Sequence, residues 1–309
     1  MILNYAKIGN DRPAVVLNMG AGPAAGKCSD MGVQRLNRRQ FLKLLGASVA
    51  SGGLSALGGY GYATQVEPYR LSVERLTLPL TGWPERLAGL TVAQLSDFHL
   101  YPFTPLWFVE EAVAATNALQ PDVVVLTGDY VLDSAESIFD LAPVLARLNP
   151  RLGLAAILGN HDHWAGAPTV RRGLRAAGIP LLENSCLTLS NGLIIAGLDD
   201  PWAGRPDLPA TLAGVSGNAP LLLLAHEPDF ADEFTQDPRV RLQLSGHSHG
   251  GQVRLPGLGA PFLPRYADKY DLGLYQVNQA WLYTNRGIGM TGAPVRFNCP
   301  PEITLITLA

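Results

Sequence analysis

The sequence predicts an α/β fold, and two observations carry this prediction. Short apolar runs typical of strands alternate with helix-like segments between residues 90 and 244. The tail from Leu272 to Leu308 holds several strand-like runs and no helix signal. Two mixed β-sheets packed face to face, with helices outside, would satisfy both observations. The expected architecture is therefore a four-layer αββα sandwich.

The individual elements follow from apolar runs bounded by turn-forming residues. The predicted strands are Leu90–Leu95, Val123–Leu126, Leu154–Leu158, Cys186–Leu189, Leu193–Ala196, Leu221–Leu224, Arg241–Leu244, Ala280–Thr284, Val295–Asn298 and Ile303–Leu308. The predicted helices are Pro105–Leu119, Ser134–Leu148 and Arg171–Ala177. The first of these is amphipathic, with its apolar side formed by Trp107, Val109, Ala112, Val113 and Leu119. Asn191-Gly192 between two strand runs predicts a β-hairpin.

Length and composition indicate one large folded domain. The chain has 309 residues, of which 47% are hydrophobic and 16% charged, as in a compact globular protein. No internal repeat or low-complexity linker interrupts it after the N-terminal segment, so we predict a single domain over residues 67–309. Residues 64–309 carry 16 basic and 24 acidic side chains, a net charge of −8. This surface argues against a nucleic acid as partner, because nucleic-acid binding needs a basic footprint.

The N-terminal segment is predicted to be an export signal. The residues Asn37–Lys43, N-R-R-Q-F-L-K, resemble a twin-arginine signal, and a charge-free, glycine-rich stretch follows from Leu44 to Val66. So many glycines would make a poor core helix. Residues 31–66 are thus a twin-arginine signal segment or an uncleaved membrane anchor, and Gly61-Tyr62-Ala63 offers only a weak cleavage site. Residues 1–30 have no leader character and are predicted to be a non-native extension before a start at Met31.

This signal carries two expectations about the cell. The twin-arginine translocase would be a partner during export. The folded protein would then reside in the periplasm or on the outer face of the cytoplasmic membrane, where association with the membrane is possible.

Polar motifs follow five of the apolar runs. They are Asp97-Phe98-His99, Gly128-Asp129, Gly159-Asn160-His161-Asp162, His226 and Gly246-His247-Ser248-His249. Five of the 6 histidines lie inside these motifs, and His163 lies just beyond one of them. The carboxyl ends of strands meet at one edge of an open sheet, so the motifs can converge. Histidine, carboxylate and amide together form a ligand set for a pair of divalent or trivalent metals.

The order of these motifs resembles that of the calcineurin-like metallophosphoesterase superfamily: D-x-H, G-D, G-N-H-[DE], a single H, then G-H-x-H. The resemblance covers residues 90–252 and implies a two-sheet sandwich and a hydrolase acting on phosphoric ester bonds. It also implies two bound metal ions, with Mn, Fe or Zn as the candidates. By this resemblance Asp97, His99 and His249 hold one metal, and Asp129 bridges to the other. The remaining implied ligands of the second metal are Asn160, His226 and His247.

The resemblance implies roles in catalysis as well. His161 would act on the leaving group as general acid or as a stabiliser of charge, and the nucleophile would be a hydroxide bridging the metals. Asp162 would orient a neighbouring loop or ring, or have a structural role alone. His163 and its neighbour Trp164, which share a loop, and Arg286 and Arg296 are the candidate substrate-binding residues. Either arginine could clamp a second phosphate or, as the alternative, could be a salt-bridged surface residue.

The expected function is a metal-dependent phosphohydrolase of the cell envelope, most consistent with a phosphodiesterase. Its substrates would be phosphorylated small molecules, lipid-linked phosphates or wall polymers. No arginine follows Gly128-Asp129, and Asp133 stands one position late for a partner of His161, which counts against a phosphoprotein phosphatase. A UDP-2,3-diacylglucosamine type pyrophosphate hydrolase is the alternative, although that substrate is cytoplasmic and the leader indicates export. A non-catalytic metal-binding scaffold is the second alternative, and no ligand is missing to favour it.

Overall fold

The computed structural model describes residues 57–309 except Asn218, so the predicted twin-arginine motif lies outside the described residues. Gly52–Ala309 form one compact unit. No helix in the described part of the chain is both long and apolar enough to cross a membrane. Residues 57–65 are helical, and a 3-10 turn over Glu67–Tyr69 leads from them into the first strand.

Eleven strands form two mixed sheets, which confirms the predicted fold class. In chain order they are β1 (Ser72–Leu78), β2 (Thr91–Leu95), β3 (Val123–Thr127), β4 (Gly153–Ile157), β5 (Ser185–Thr188), β6 (Ile194–Gly197), β7 (Leu221–Leu224), β8 (Val240–Ser245), β9 (Gly273–Val277), β10 (Ala280–Thr284) and β11 (Glu302–Leu308). The first sheet has the order β1-β11-β2-β3-β4, and the second has the order β5-β6-β7-β8-β10-β9. In the first sheet β11 runs antiparallel to β2, and in the second sheet the outer strands β5 and β9 run antiparallel to their neighbours.

In the described part of the chain, five helices accompany the sheets in addition to the helical residues 57–65. They are α1 (Leu106–Ala118), α2 (Ile138–Leu145), α3 (Asn160–Ala176), α4 (Leu208–Leu212) and α5 (Ala231–Phe234). Along β3 successive side chains face opposite sides, so Val124 and Leu126 pack against the helices while Val123 and Val125 face the second sheet. The outer face of the second sheet packs on Leu212 of α4 and Phe234 of α5. The layers are therefore helix, sheet, sheet and helix.

The central strands lie within about two residues of their predicted positions, whereas the margins of the sheets differ. The predicted strand Val295–Asn298 is wrong: Phe297 forms only an isolated bridge to Val253. Strands β1 and β9 were not predicted. The predicted helix Ser134–Leu148 is a 3-10 turn followed by the shorter α2. The prediction that Trp107 packs on the apolar side of α1 is wrong as well, because its side chain is 52% exposed.

Candidate metal centre

The five polar motifs meet at one end of the two sheets. Strands β2, β3 and β4 are parallel neighbours in the first sheet, and each is followed by one motif. Strands β7 and β8 are parallel neighbours in the second sheet and are followed by the other two. Backbone hydrogen bonds join the motifs within each sheet, from Asp97 N–H to the Gly128 carbonyl and from Gly246 N–H to the His226 carbonyl. The topology therefore brings together side chains that lie far apart in the sequence.

Asp97, His99 and His249 form the first cluster of potential ligands. The Nε2 atoms of the two histidines are 2.9 Å apart, and His249 Nε2 lies 3.3 Å from Asp97 Oδ1. The exposed fraction of each residue is 3% or less. Backbone N–H of His247 donates to both carboxylate oxygens of Asp97, which fixes the orientation of the carboxylate. Three ligand atoms thus point to one place in the interior.

Asp129, His226 and His247 form the second cluster. Asp129 Oδ2 lies 3.1 Å from His226 Nε2 and 3.4 Å from His99 Nε2, so this carboxylate borders both clusters. His226 Nδ1 lies 2.6 Å from the Thr127 carbonyl, and His247 Nε2 lies 2.9 Å from the Arg265 carbonyl. Such bonds to backbone oxygen fix the tautomer of an imidazole and leave its other nitrogen free to bind a metal.

Asn160 stands beside the second cluster with an unsatisfied side chain. Its exposed fraction is 1%, and neither amide atom has a hydrogen-bond partner among the described residues. A buried polar group without a partner costs free energy, so a bound ligand is the expected explanation. The amide oxygen would satisfy a metal, and the residues present therefore fit the metals that the sequence predicts.

The backbone at the centre is strained where the ligands are. Positive φ angles between 44° and 68° occur at five ligands, namely Asp97, His99, Asp129, His247 and His249. Left-handed conformations are rare for residues with a Cβ, and they concentrate at functional sites. The strain places these side chains where an unstrained loop would not.

Two glycines allow the close packing of the motifs. A Cβ at Gly246 would overlap the side chains of Ser96 and Asp97. A Cβ at Gly159 would overlap the carboxylate of Asp129. Neither glycine has the positive φ that favours the residue, so the close approach of the carboxylates is what requires glycine here.

The protonation states of four groups in the centre suit metal binding. Burial alone would raise the pKa of Asp97, but the charge and hydrogen bond of His249 lower it to about 2. Burial likewise opposes the charge of Asp129, yet His226 and His99 hold its pKa well below the usual range. Burial lowers the pKa of His99 well below its usual value, and burial with the charge of His226 lowers that of His247 to about 4. Charged carboxylates beside neutral imidazoles are the forms that bind metals. His226 differs: burial lowers its pKa, but the charge and hydrogen bond of Asp129 raise it well above its usual value, so a metal bound there would displace a proton.

Asp162 holds the loop that carries Asp129. Its carboxylate accepts hydrogen bonds from the backbone N–H groups of Gly159, Asp129, Tyr130 and Val131, at 2.8 to 3.2 Å. Burial, followed by repulsion from Asp129, raises the pKa of Asp162 to about 7, and the bonds from Gly159 and Val131 oppose this rise. The sequence left two roles open for Asp162, orienting a neighbouring loop or ring and a structural role alone. These contacts support the first, because Asp162 fixes the loop that carries Asp129.

Replacing Asp162 with alanine is expected to lower the free energy of unfolding by roughly 2–4 kcal/mol, because several buried N–H groups lose their acceptor. Urea unfolding would measure the change. Asp133→Asn is the matched control: Asp133 is exposed and makes no hydrogen bond to His161, so its effect should stay within about 0.5 kcal/mol. An Asp162→Ala protein as stable as the wild type would contradict the loop-holding role.

His161 lies in the first turn of α3, which begins at Asn160 rather than at the predicted Arg171. Its backbone N–H donates to Asp129 Oδ1 at 2.9 Å, and its Nδ1 lies 3.3 Å from the Leu132 carbonyl. The ring packs edge-on against His99, with ring centroids 4.7 Å apart. His161 therefore borders the ligand clusters and lines the pocket in front of them.

Three of the candidate substrate-binding residues lie outside that pocket. His163 Nε2 is 3.0 Å from Asp199 Oδ1 in a partly buried ion pair. Arg286 pairs with Glu74 and Glu302. Arg296 is fully buried and donates to the carbonyls of Arg286, Gly287, Gly289 and Cys299. Of the two alternatives for the arginines, these contacts support a structural role, because acidic side chains engage the guanidinium group of Arg286 and backbone carbonyls engage that of Arg296.

A pocket of about 340 Å³ opens in front of the two clusters. Its polar lining includes His99, Asp129, Asn160, His161 and His247. Its lining also includes apolar residues that we call the apolar side, namely Trp164, Trp202, Phe262, Leu263 and Pro264. Apart from Trp164, this apolar side was not predicted from the sequence. These residues belong to no motif. The uncharged sequence from Leu255 to Pro264 could have indicated Phe262, Leu263 and Pro264, but nothing in the sequence singles out Trp202.

The sequence matches known proteins in the region of these motifs. Residues 90–251 match the family described as calcineurin-like phosphoesterase. The chain is 39% identical to the metallophosphoesterase YkuE of Bacillus subtilis over 283 residues, which cover 89% of this chain and 99% of the relative. It is 32% identical to the phosphodiesterase YaeI of Escherichia coli over 280 residues, covering 88% and 99%. It is 29% identical to the UDP-2,3-diacylglucosamine pyrophosphatase LpxG of Chlamydia muridarum over 309 residues, covering 79% and 91%. The chain therefore belongs to the calcineurin-like phosphoesterase family, and it is a metal-dependent hydrolase of phosphoric ester bonds.

Proposed function

We propose that this protein is a phosphodiesterase with a dinuclear metal centre that acts in the cell envelope. The observation that carries the dinuclear assignment is the position of Asp129, whose carboxylate lies within 3.4 Å of a histidine from each ligand cluster. Asp97, His99 and His249 would hold one metal, and Asn160, His226 and His247 would hold the other. When bound, such metals supply an activated water and neutralise charge on the phosphoryl group.

The residues around the metals divide the remaining work. His161 lines the pocket next to both clusters, so it is the group placed to give a proton to the leaving oxygen. The contact of its Nδ1 with the Leu132 carbonyl fixes the ring and leaves Nε2 for the substrate. Trp164 packs edge-on against His161, with centroids 5.0 Å apart, and shields the ring from water on that side.

The pocket favours a diester over a monoester. Among the described residues, no lysine or arginine lines it, so protein cations are absent from the space beyond the metals. A monoester carries about two negative charges near neutral pH, and proteins usually hold the additional charge with such cations. A diester carries one charge and a second organic group, for which the apolar side offers a surface. The likeness to the phosphodiesterase YaeI supports the same choice.

Substrate preference tests the proposal. The full-length protein loaded with Mn(II) is expected to hydrolyse bis(p-nitrophenyl) phosphate with a kcat/KM about tenfold or more above that for p-nitrophenyl phosphate. A sample stripped with a chelator is the control and should be inactive until metal is restored. A preference for the monoester would contradict the proposal.

The pyrophosphate hydrolase is the second candidate, favoured by the apolar side of the pocket and by the likeness to LpxG. A pyrophosphate carries a second charged phosphate, which the pocket offers no cationic side chain to bind. UDP-2,3-diacylglucosamine in the same assay separates the two functions. A kcat/KM for this substrate above that for every diester tested would replace the phosphodiesterase proposal.

Export by the twin-arginine route remains a proposal based on the sequence of residues 31–66. The described residues add one observation on the fate of the leader. Ala63 is 7% exposed, and its carbonyl accepts a hydrogen bond from Arg296 N–H. Cleavage after Ala63 would cut the chain where it is packed, which favours a leader retained as an anchor.

Arg38→Lys combined with Arg39→Lys is expected to leave a folded, active protein in the cytoplasm, because the translocase reads the two arginines as a pair. Cell fractionation would measure this, in hosts with and without a working twin-arginine translocase. Lys43→Arg is the control and should be exported normally. Export of the double-lysine protein, or of the wild type in the deficient host, would contradict the assignment.

A further inference from the structure

Several large apolar side chains are exposed in and beside the lining of the metal pocket. Phe262 and Leu258 are 83% and 82% exposed, the highest values among the large apolar side chains that the structure describes. Leu255 of the same loop is 41% exposed, and Trp164, which lines the pocket together with Phe262, is 54% exposed. Burying such side chains in an apolar environment is favourable, so three of them exposed on one loop beside the pocket indicate a binding surface. We call Leu255, Leu258, Phe262 and Trp164 the apolar rim.

The loop that carries the rim is held in a defined shape. Leu255 and Gly259 exchange backbone hydrogen bonds of 2.8 and 3.0 Å, which close the turn that presents Leu258. At its base, Arg254 N–H donates to the Phe297 carbonyl, and the Arg254 side chain bonds the Gly250 carbonyl and Asp271. The exposure of the rim is thus built into the fold.

The composition of the loop favours a lipid surface as the occupant. Residues 255–264 read L-P-G-L-G-A-P-F-L-P and contain no charged side chain. Residues 64–309 carry a net charge of −8, so attraction to anionic headgroups would not be the driving force for binding at this loop. Proteins that lie on a bilayer insert apolar side chains into it and place tryptophan at its interface, and the rim offers both kinds of residue.

The position of the N-terminal segment gives an independent argument. Tyr62 and Pro256 line one groove of about 400 Å³, together with Arg70 and Phe297. The described chain therefore enters the domain next to the rim loop, and Leu57 and Tyr60 are each 70% exposed there. The charge-free sequence from Leu44 onward precedes this point. A membrane anchor attached here would bring the rim to the same membrane.

We propose that the apolar rim docks on the membrane that the N-terminal segment reaches, so that the pocket opens to a phosphodiester whose organic group is a lipid. The lipid chain would lie along Phe262, Leu263 and Trp202, and the ester would face the metal ligands. This inference names the substrate class of the proposed phosphodiesterase and rests on that function.

Vesicle binding tests the docking step without relying on activity. Full-length protein is mixed with phosphatidylcholine vesicles at high salt, and the bound fraction is measured by sedimentation. Leu255→Asp combined with Leu258→Asp is expected to reduce partitioning about tenfold or more, because two apolar side chains lose their insertion energy. Phe139→Asp is the matched control, since Phe139 is 45% exposed on α2, away from the pocket, and it should bind as the wild type does.

A fluorescence measurement covers the case in which the N-terminal segment alone keeps every variant on the vesicles. The 5 native tryptophans, Trp164 of the rim included, are common to all the proteins, so each variant is compared with the wild type. Brominated phosphatidylcholine is expected to add quenching in Leu258→Trp and to add none in Phe139→Trp. Added quenching in Leu258→Trp that is no greater than in Phe139→Trp would overturn the proposal, whatever the partitioning of the double aspartate variant. A dimer that the aspartates dissociate, with vesicle binding unchanged, would assign the rim to a second copy instead.

Activity separates this inference from the proposed function. The double aspartate variant is expected to hydrolyse soluble bis(p-nitrophenyl) phosphate within about twofold of the wild type, while its kcat/KM for phosphatidylglycerol in vesicles falls about tenfold. If the wild type failed to cleave either diester, the phosphodiesterase proposal would fail, and the vesicle measurements would still decide the docking.

Discussion

Replacing Asp129 with asparagine is expected to remove both metals and to abolish hydrolysis. One oxygen of Asp129 lies 3.1 Å from His226 and 3.4 Å from His99, one histidine from each ligand cluster. An amide offers one neutral oxygen in place of a shared carboxylate, so two cations would lose their common anionic ligand. Elemental analysis and kcat/KM with bis(p-nitrophenyl) phosphate would measure the two losses together.

Two further variants make the result specific. His99→Ala is expected to empty mainly one position, because His99 belongs to the cluster with Asp97 and His249. Asp133→Asn changes an exposed carboxylate four residues from Asp129 and should keep metal and activity. An Asp129→Asn protein that retained both metals would exclude the bridging role.

Replacing His161 with alanine is expected to reduce kcat by roughly 10²–10⁴ while metal content stays unchanged. His161 lines the pocket but is not needed to complete either proposed set of ligands. If the ring gives a proton to the leaving oxygen, the loss should shrink for good leaving groups such as nitrophenolate. Measuring kcat over a series of diesters with alcohols of different pKa would reveal this dependence.

His163→Ala provides the control for that series. His163 is two residues away on the same helix, but it pairs with Asp199 and does not line the pocket. Its kcat is expected to change only a few-fold for every leaving group. A loss on His161→Ala that was equal across the series would replace proton donation with charge stabilisation or positioning.

The core of the fold was predictable because its strands are buried on both faces. Val123–Leu126 and Leu221–Leu224 are continuous apolar runs, as expected for parallel strands between two layers. The metal ligands follow such runs directly, so the rule that strand ends share one edge was enough to bring them together. Strand β1 alternates half-buried and exposed side chains, with only Leu78 buried, and it pairs with β11, more than 200 residues away, so no local apolar run identified it.

The first turn of α3 was not predicted because two helix-breaking residues obscure it. Gly166 has φ 138° and ψ 76°, and Pro168 follows, so the helical pattern becomes regular only after them. Asn160 and His161 therefore looked like loop residues in the sequence. They are held on a helix, which positions them more rigidly than a loop would.

The roles expected for the two arginines depended on tertiary contacts that the sequence does not contain. Arg286 pairs with Glu74 and Glu302, and these contacts hold its guanidinium group away from a phosphate. The two glutamates are close in space but lie near opposite ends of the domain's sequence. The residues that form the apolar side of the pocket, such as Trp202 and Phe262, belong to no motif. Local patterns thus identified the metal ligands but not the surface that would select the substrate.

Crystals grown with Mn(II) would test the central claim, that one carboxylate joins two metals, most directly. Anomalous scattering is expected to give two peaks on either side of the Asp129 carboxylate, roughly 3.5–4 Å apart. One peak would lie among Asp97, His99 and His249, and the other among Asn160, His226 and His247. A single peak, or two peaks that do not share Asp129, would contradict the dinuclear centre.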